Sequence, residues 1–219
     1  KGGALMVPIL AFSVVALMVF LERLWALRPN RVIPREFVAL IRRKVREDRA
    51  AEALTLCEGS PSTASVVLAS GLRYAGRPRD VIKEAFEEVG RIEVTHLSRF
   101  LEVLGTIAAV APLLGLLGTV VGMIDVFRTV VAEAGGAAGP VNPSSLANGI
   151  WAALMTTAAG LSAAIPAFIG YKYLLARVDR LALEMEEVCL DLLDLLAGAE
   201  PVDEAAAADE DAAEAEGEA

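Results

Sequence analysis

Ala111-Pro112-Leu113-Leu114-Gly115-Leu116-Leu117-Gly118-Thr119-Val120-Val121-Gly122-Met123-Ile124 decides how this chain folds. It closes an uncharged run that begins at Val103. As a helix rising ~1.5 Å per residue, that run crosses a hydrocarbon core of roughly 30 Å. A helix that only faces lipid is built from Leu, Ile and Val, whereas one pressed against other helices uses small residues that let backbones approach. Here Gly118 and Gly122 form a small-xxx-small pair, Gly115 lies almost a turn earlier, and Thr119 shares a face with Gly115 and Gly122. The stretch therefore reads as the inner wall of a membrane assembly rather than as an anchor.

Working outward, the same grammar recurs near the C-terminal end. Residues 146–171 carry no charge, and Gly149, Ala153, Thr157, Gly160 and Ala164 recur at helical spacing before Pro166, where a kink is expected. Thr156 sits beside Thr157 on a face with Ala152, Gly160 and Ala163. Thr119 and Thr157 are about equally far from the ends of their spans, which puts both near mid-membrane. A threonine in a membrane helix commonly bonds the carbonyl one turn back and does nothing more. Two of them, each on a stripe of small residues, keep that account and a pore-lining role both open.

Composition agrees with a membrane chain. Hydrophobic residues make up 55% of 219, and mean hydropathy is +0.53. The formal charge of −9 misleads, because nine of the 29 acidic residues fall between Glu200 and Glu218 and no Lys or Arg follows Arg180. The remaining body is neutral, so charge gives no case for nucleic acid. Cys57 and Cys189 lack the spacing of a metal site or a disulfide framework and read as small apolar residues. His96 lies in a charged, helical-looking stretch and reads as solvated.

Residues 1–23 read as a first transmembrane helix, since Ala4 to Leu21 is uncharged and lacks the short apolar region and cleavage site of a secretory signal. Glu22-Arg23 marks its interface. The cations that follow (Arg23, Arg28, Arg31, Arg35, Arg42, Arg43, Lys44, Arg46 and Arg49) belong on the cytoplasmic side. That places the N-terminus outside and residues 24–100 inside as a helical region. Within it, helices are expected over Pro34 to Arg46 and Ala50 to Cys57, and from an N-cap at Ser60-Pro61 to Tyr74. Pro78 then opens a helix expected to run unbroken into the second span, about 45–50 residues or ~70 Å in all. Residues 101–127 form the second transmembrane helix, 128–145 an outer loop in which Asn142-Pro143 starts the next helix, and 146–171 the third span. Residues 172–198 return to the cytoplasm as an amphipathic helix, and the acidic tail at 199–219 is too polar to fold. The fold class is an all-α integral membrane protein with three transmembrane helices, the second and third extended far into the cytoplasm as long helices.

No Asp, Glu, Lys, Arg or His occurs within the uncharged runs 4–21, 103–124 and 146–171 that form the cores of the three spans. A proton relay needs a titratable group, so any proton carrier must come from another chain. No nucleophile–base pair, metal cluster or phosphate-binding loop stands beside the membrane either, and neither an enzyme nor a cofactor is expected.

These blocks resemble the MotA/TolQ/ExbB family of bacterial proton-channel motor subunits, closest to the ExbB/TolQ branch. The likeness rests on Gly2-Gly3, Glu22-Arg23, the Ala111 to Ile124 stretch, and Gly149-Ile150-Trp151-Ala152-Ala153-Leu154-Met155-Thr156-Thr157-Ala158-Ala159-Gly160-Leu161 leading to Ala164-Ile165-Pro166-Ala167. Three spans with a large insertion after the first fit ExbB/TolQ better than the four-span MotA. The resemblance implies a homopentamer whose second and third spans line a pore occupied by two copies of an ExbD/TolR-like single-span subunit. The partner's membrane aspartate would carry the proton past Thr119 and Thr157, and work would pass to a TonB-like or TolA-like protein. Thr156 and Ala152 would also border the pore, and Gly115, Gly118, Gly122, Gly149, Ala153, Gly160, Ala164, Pro112 and Pro166 would pack the pore or partner helices. The 128–145 loop would then be periplasmic, in a protein of the bacterial inner membrane. One position departs: many members carry a glutamate where this chain has Ala152. A TolQ-like or gliding-type motor, or a passive membrane scaffold whose stripes only pack, are the alternative readings.

Overall fold

The computed structural model describes residues 6–134 and 143–197, and among these every regular element is an α-helix. The helices are α1 (Met6–Ala26), α2 (Pro29–Val32), α3 (Arg35–Arg46), α4 (Ala50–Glu58), α5 (Thr63–Leu72), α6 (Arg79–Ser98), α7 (Leu101–Ala134) and α8 (Pro143–Ala197). The expectations placed on Gly2-Gly3, on Asn142 and on the acidic tail lie outside the described residues. Among the described residues, three helices are long and apolar enough to span a membrane: Met6–Ala26, Leu101–Ala132 and Leu146–Ala197. The chain is an all-α, multi-pass membrane protein. It divides into two compact units, Lys1–Arg28 with Thr95–Asp179, and Pro29–Val94 with Arg180–Ala219.

In the first unit α1 packs on α7, and large apolar side chains such as Val7, Leu10, Leu17 and Met18 point outward, as a lipid-facing helix requires. Its C-terminal end is tied to α8, where Arg177 Nε donates to the Leu27 carbonyl at 2.8 Å. That bond satisfies a carbonyl that has no partner within the helix. The Phe20 ring lies over Gly170, where a methyl group would approach the ring to 2.9 Å. Both α7 and α8 run on through their internal prolines, Pro112 and Pro166.

Three expectations need correction. The helix opened by Pro78 does not continue unbroken into the second span: α6 ends at Ser98, Arg99 and Phe100 form a turn, and α7 starts at Leu101. No glycine or proline signals this break. It coincides with tertiary contacts, in which the Arg23 guanidinium sits 4.2 Å from the Phe100 ring centroid and Leu101 is buried. The N-cap of α5 is Ser62, not Ser60. Ser62 has extended backbone and its Oγ accepts from Ser65 N at 3.2 Å, while Pro61 precedes the cap. The helix stops at Leu72, short of Tyr74, and Gly76 turns the chain at φ +81°, which side chains disfavour.

In the second unit α3 buries Val38, Ile41 and Val45, α4 buries Ala53 and Cys57, and α5 buries Ala64, Val67, Leu68 and Leu72. The C-terminal part of α8 adds Leu181, Met185, Leu192 and Leu193, and ion pairs from Arg42 to Asp191 and from Arg79 to Asp194 (both 2.7 Å) hold its last turns. Burial, with a smaller push from Glu58, raises the Cys57 thiol to about 12, so it is neither a nucleophile nor a ready metal ligand. The tightest contact is Phe86 of α6 on Gly71 of α5, where any side chain would overlap the ring. Gly71→Ala is expected to lower thermal stability by about 1–3 kcal/mol of overpacking. Combining it with Phe86→Leu, which frees the ring's space, recovers part of that loss in the melting midpoint.

Candidate functional site

The candidate site is the seam along which α7 and α8 run antiparallel. From one end to the other, Gly105 faces Tyr171, Gly115 faces Thr157 and Gly160, Gly118 faces Thr156, Gly122 faces Ala153, and Val126 faces Gly149. Each advance along α7 is matched by a similar retreat along α8, so small residues meet on both sides. The main chains are in direct contact at the middle. A methyl on Gly115 would stand 3.1 Å from Thr157 Cα, and one on Gly160 would stand 2.7 Å from the Ala111 carbonyl oxygen and 3.0 Å from Gly115 Cα. Ala111, Gly115, Gly118, Ala153, Thr156, Gly160 and Ala164 are all buried. Gly122, Gly149, Ala152 and Pro112 are half-buried, and Pro166 is exposed.

The three threonines gather here and are not equivalent. Thr119 Oγ1 donates to the Leu116 carbonyl at 2.7 Å, and Thr156 Oγ1 donates to the Ala152 carbonyl at 3.0 Å, both within their own helix. Thr157 Oγ1 instead crosses the seam and donates to the Gly115 carbonyl at 2.7 Å. Thr156 is fully enclosed between the helices, whereas Thr119 and Thr157 remain half-buried. A hydroxyl has one proton to give. With all three protons given to main-chain carbonyls, the two half-buried hydroxyls of Thr119 and Thr157 offer the surroundings only oxygen lone pairs. The seam is thus an uncharged wall of hydrogen-bond acceptors and cannot itself supply or take up a proton near neutral pH.

The small residues and hydroxyls of the seam are visible in the sequence, where Arg23 reads only as a plain interface marker. Arg23 is buried against Phe100, and its Nε, although 2.8 Å from Glu22 Oε2, lacks hydrogen-bond geometry. A cation flanking a long apolar run carries no signal that distinguishes burial from exposure. Arg177, which ties α8 to the end of α1, carries no sequence signal of that contact either.

Residues 60–187, which include both small-residue stretches, match the sequence profile of the MotA/TolQ/ExbB proton channel family. The chain belongs to that family. It is 31% identical over 180 residues to a biopolymer transport protein ExbB homolog of Methanothermobacter thermautotrophicus, covering 82% of this chain and 62% of that one. With biopolymer transport protein ExbB of Aquifex aeolicus it shares 34% over 123 residues, 56% of this chain and 79% of that one. Tol-Pal system protein TolQ of Haemophilus influenzae is 38% identical over 87 residues, 40% and 36% of the two chains. The chain thus spans less than two thirds of the Methanothermobacter relative's length. As a MotA/TolQ/ExbB member it falls among channel and transport proteins, not among families named for catalysis.

The seam makes a direct prediction. Gly160→Ala sets a methyl against the Ala111 carbonyl, which is main chain and cannot turn away, and is expected to cost about 1–3 kcal/mol. Gly105→Ala meets only the edge of the Tyr171 ring at 3.2 Å and is expected to be nearly neutral. Thermal unfolding of the two variants in detergent, read by tryptophan fluorescence, compares them.

Proposed function

We propose that this protein is the pore-forming subunit of a proton-motive-force-driven inner-membrane motor of the ExbB kind, energising TonB-dependent outer-membrane transport. Five copies enclose two copies of an ExbD/TolR-like single-span subunit, and work passes to a TonB-like or TolA-like protein. The chain crosses the membrane three times with its N-terminus periplasmic and its C-terminus cytoplasmic, an orientation supported by the arginines after α1. Thr119 and Thr157 face the partner's membrane carboxylic acid, Thr156 and Ala152 flank them, and the glycines set the helix spacing.

The observation that carries this reading is the direction of the three hydroxyl bonds. An acceptor-only wall can bond a partner's carboxyl group when that group is protonated, and offers its ionised form nothing. A protonated acid held there crosses the membrane as a neutral group. The magnitudes suit the task. A membrane potential supplies about 2.3 kcal/mol per charge per 100 mV, comparable with the ~2.5–3.5 kcal/mol cost of a mid-membrane carboxylate. An interhelical hydroxyl bond worth about 0.6–2 kcal/mol is enough to tip the balance between the two protonation states.

Ala152 belongs to this reading. A glutamate is dispensable at this position because the partner acid alone carries the proton, so Ala152→Glu is expected to alter proton flux only mildly. No flux without the glutamate would sink the idea. A TolQ-like or gliding-type role draws on the same seam and differs in cargo; a passive scaffold predicts no partner-dependent conductance at all.

The first experiment is native mass of the detergent-extracted chain, alone and co-expressed with its single-span partner, where five copies gaining two are expected. A monomer or dimer indifferent to the partner overturns the motor. In reconstituted vesicles, Thr157→Val should lower partner-dependent proton flux. It should also shift the flux midpoint about 0.5–1 unit towards lower pH, because loss of the acceptor lowers the pKa of the acid it stabilised. Thr157→Ser, which keeps the oxygen, should retain the wild-type midpoint. Disassembly of the Thr157→Val oligomer would instead assign the residue to packing.

A further inference from the structure

Between α1 and α7, within the first unit, lies an open cavity of about 440 Å³ that the α7–α8 seam does not use. Phe12 and Val15 of α1 line it with Ile107 and Val110 of α7, and at one end stand Arg99 and Glu102. From Arg99 to Val110 the cavity extends about 16 Å at the helical rise. That matches half of a ~30 Å hydrocarbon core, the depth of one leaflet. The charged end carries both signs, and both residues are exposed. Arg23 is paired with Glu22, but among the described residues neither the Arg99 guanidinium nor the Glu102 carboxylate has an ion-pair partner. The recorded contact of the Arg99 side chain is with the Phe100 ring, 5.9 Å from its centroid.

We propose that this groove binds one phospholipid with an ammonium headgroup, its acyl chain along Phe12, Val15, Ile107 and Val110, its phosphate on Arg99 and its ammonium on Glu102. The groove lies between two membrane-spanning helices, so hydrocarbon is what an apolar wall there meets. The occupant must then answer two opposite charges, three residues apart in sequence, at the mouth. A lipid carrying only negative charge would satisfy Arg99 and be repelled by Glu102. A zwitterion satisfies both, and each contact is strengthened by the low dielectric at the edge of the hydrocarbon. The inference does not depend on proton conduction or on copy number. It assigns α1, which is absent from the seam, a function of its own: holding a lipid of defined headgroup beside the turn that joins α6 to α7.

The test uses the full-length protein reconstituted in vesicles of equal parts phosphatidylethanolamine and phosphatidylglycerol, extracted mildly and weighed by native mass spectrometry for retained lipid. Wild type is expected to keep phosphatidylethanolamine several-fold over phosphatidylglycerol. Glu102→Gln should erase that preference while lipid is still retained. Arg99→Ala should lower retention of both lipids several-fold, and Val15→Trp, which fills the groove from the exposed face of α1, should remove the bound lipid with the oligomer mass unchanged. Equal retention in wild type and all three variants, or a wild type that prefers phosphatidylglycerol, overturns the proposal. So does a disulfide between Val15→Cys and Val110→Cys of different copies, since a second copy would then cover the groove.

Discussion

The contact on which the rest depends is backbone on backbone, Gly115 of α7 against Thr157 and Gly160 of α8. In hydrocarbon there is no hydrophobic force to bring helices together, because the lipid is as apolar as the side chains it would displace. Association has to come from close packing and from polar groups that prefer each other to lipid. Glycine serves the first need by having nothing to move aside, and many weak dispersion contacts then form along the seam. Thr157 serves the second, since its hydroxyl reaches the Gly115 carbonyl only because the two main chains are this close. Replace the glycines with leucine and the bond lengthens beyond use, the register loses its reference, and Thr157 falls back on its own helix.

The register of the seam decides the environment of every other residue in it. Because Gly118 meets Thr156 and Gly122 meets Ala153, Thr156 is sealed between helices while Thr157 and Thr119 keep part of their surface free. Charge is kept to the ends. Arg177 donates to the Leu27 carbonyl just past α1, and Arg23 lies on Phe100 instead of reaching water. A buried guanidinium against an aromatic face is worth on the order of 2 kcal/mol when desolvated. That offsets only part of the cost of burying a cation, and the neighbouring Glu22 supplies opposite charge.

What the sequence made legible was whatever composition alone controls. Long uncharged runs declare spans because hydrocarbon tolerates little else, and Gly118 and Gly122 declared a packed face because a lipid-facing helix has no use for them. The direction of the Thr157 bond was not legible: an intrahelical and a cross-helix acceptor look alike until the neighbouring backbone is in place, and Thr119 and Thr156 in fact take the local option. The break at Arg99 and Phe100 was hidden because no breaker marks it. Ser62 displaced Ser60 as the cap because three hydroxyl residues, Ser60, Ser62 and Thr63, crowd around Pro61, and only the folded backbone selects among them.

In the proposed motor, the missing acid at the middle of the seam, between Ala111 and Gly122 on one helix and Gly149 and Ala164 on the other, has a physical reason. A fixed carboxylate in the seam would titrate against the partner's carboxyl group, and two such groups close together share protons as a coupled pair. A wall of lone pairs has a single state. It stabilises the neutral acid by the same amount at every pH, so the protonation of the moving group follows the two aqueous phases and not the history of the wall. Ala152, with no group to titrate, keeps that property over the whole seam. The cost is that the hydroxyls exert their preference only at hydrogen-bonding distance. The spacing fixed by Gly115 and Gly160 thereby becomes a condition of the chemistry as well as of the fold.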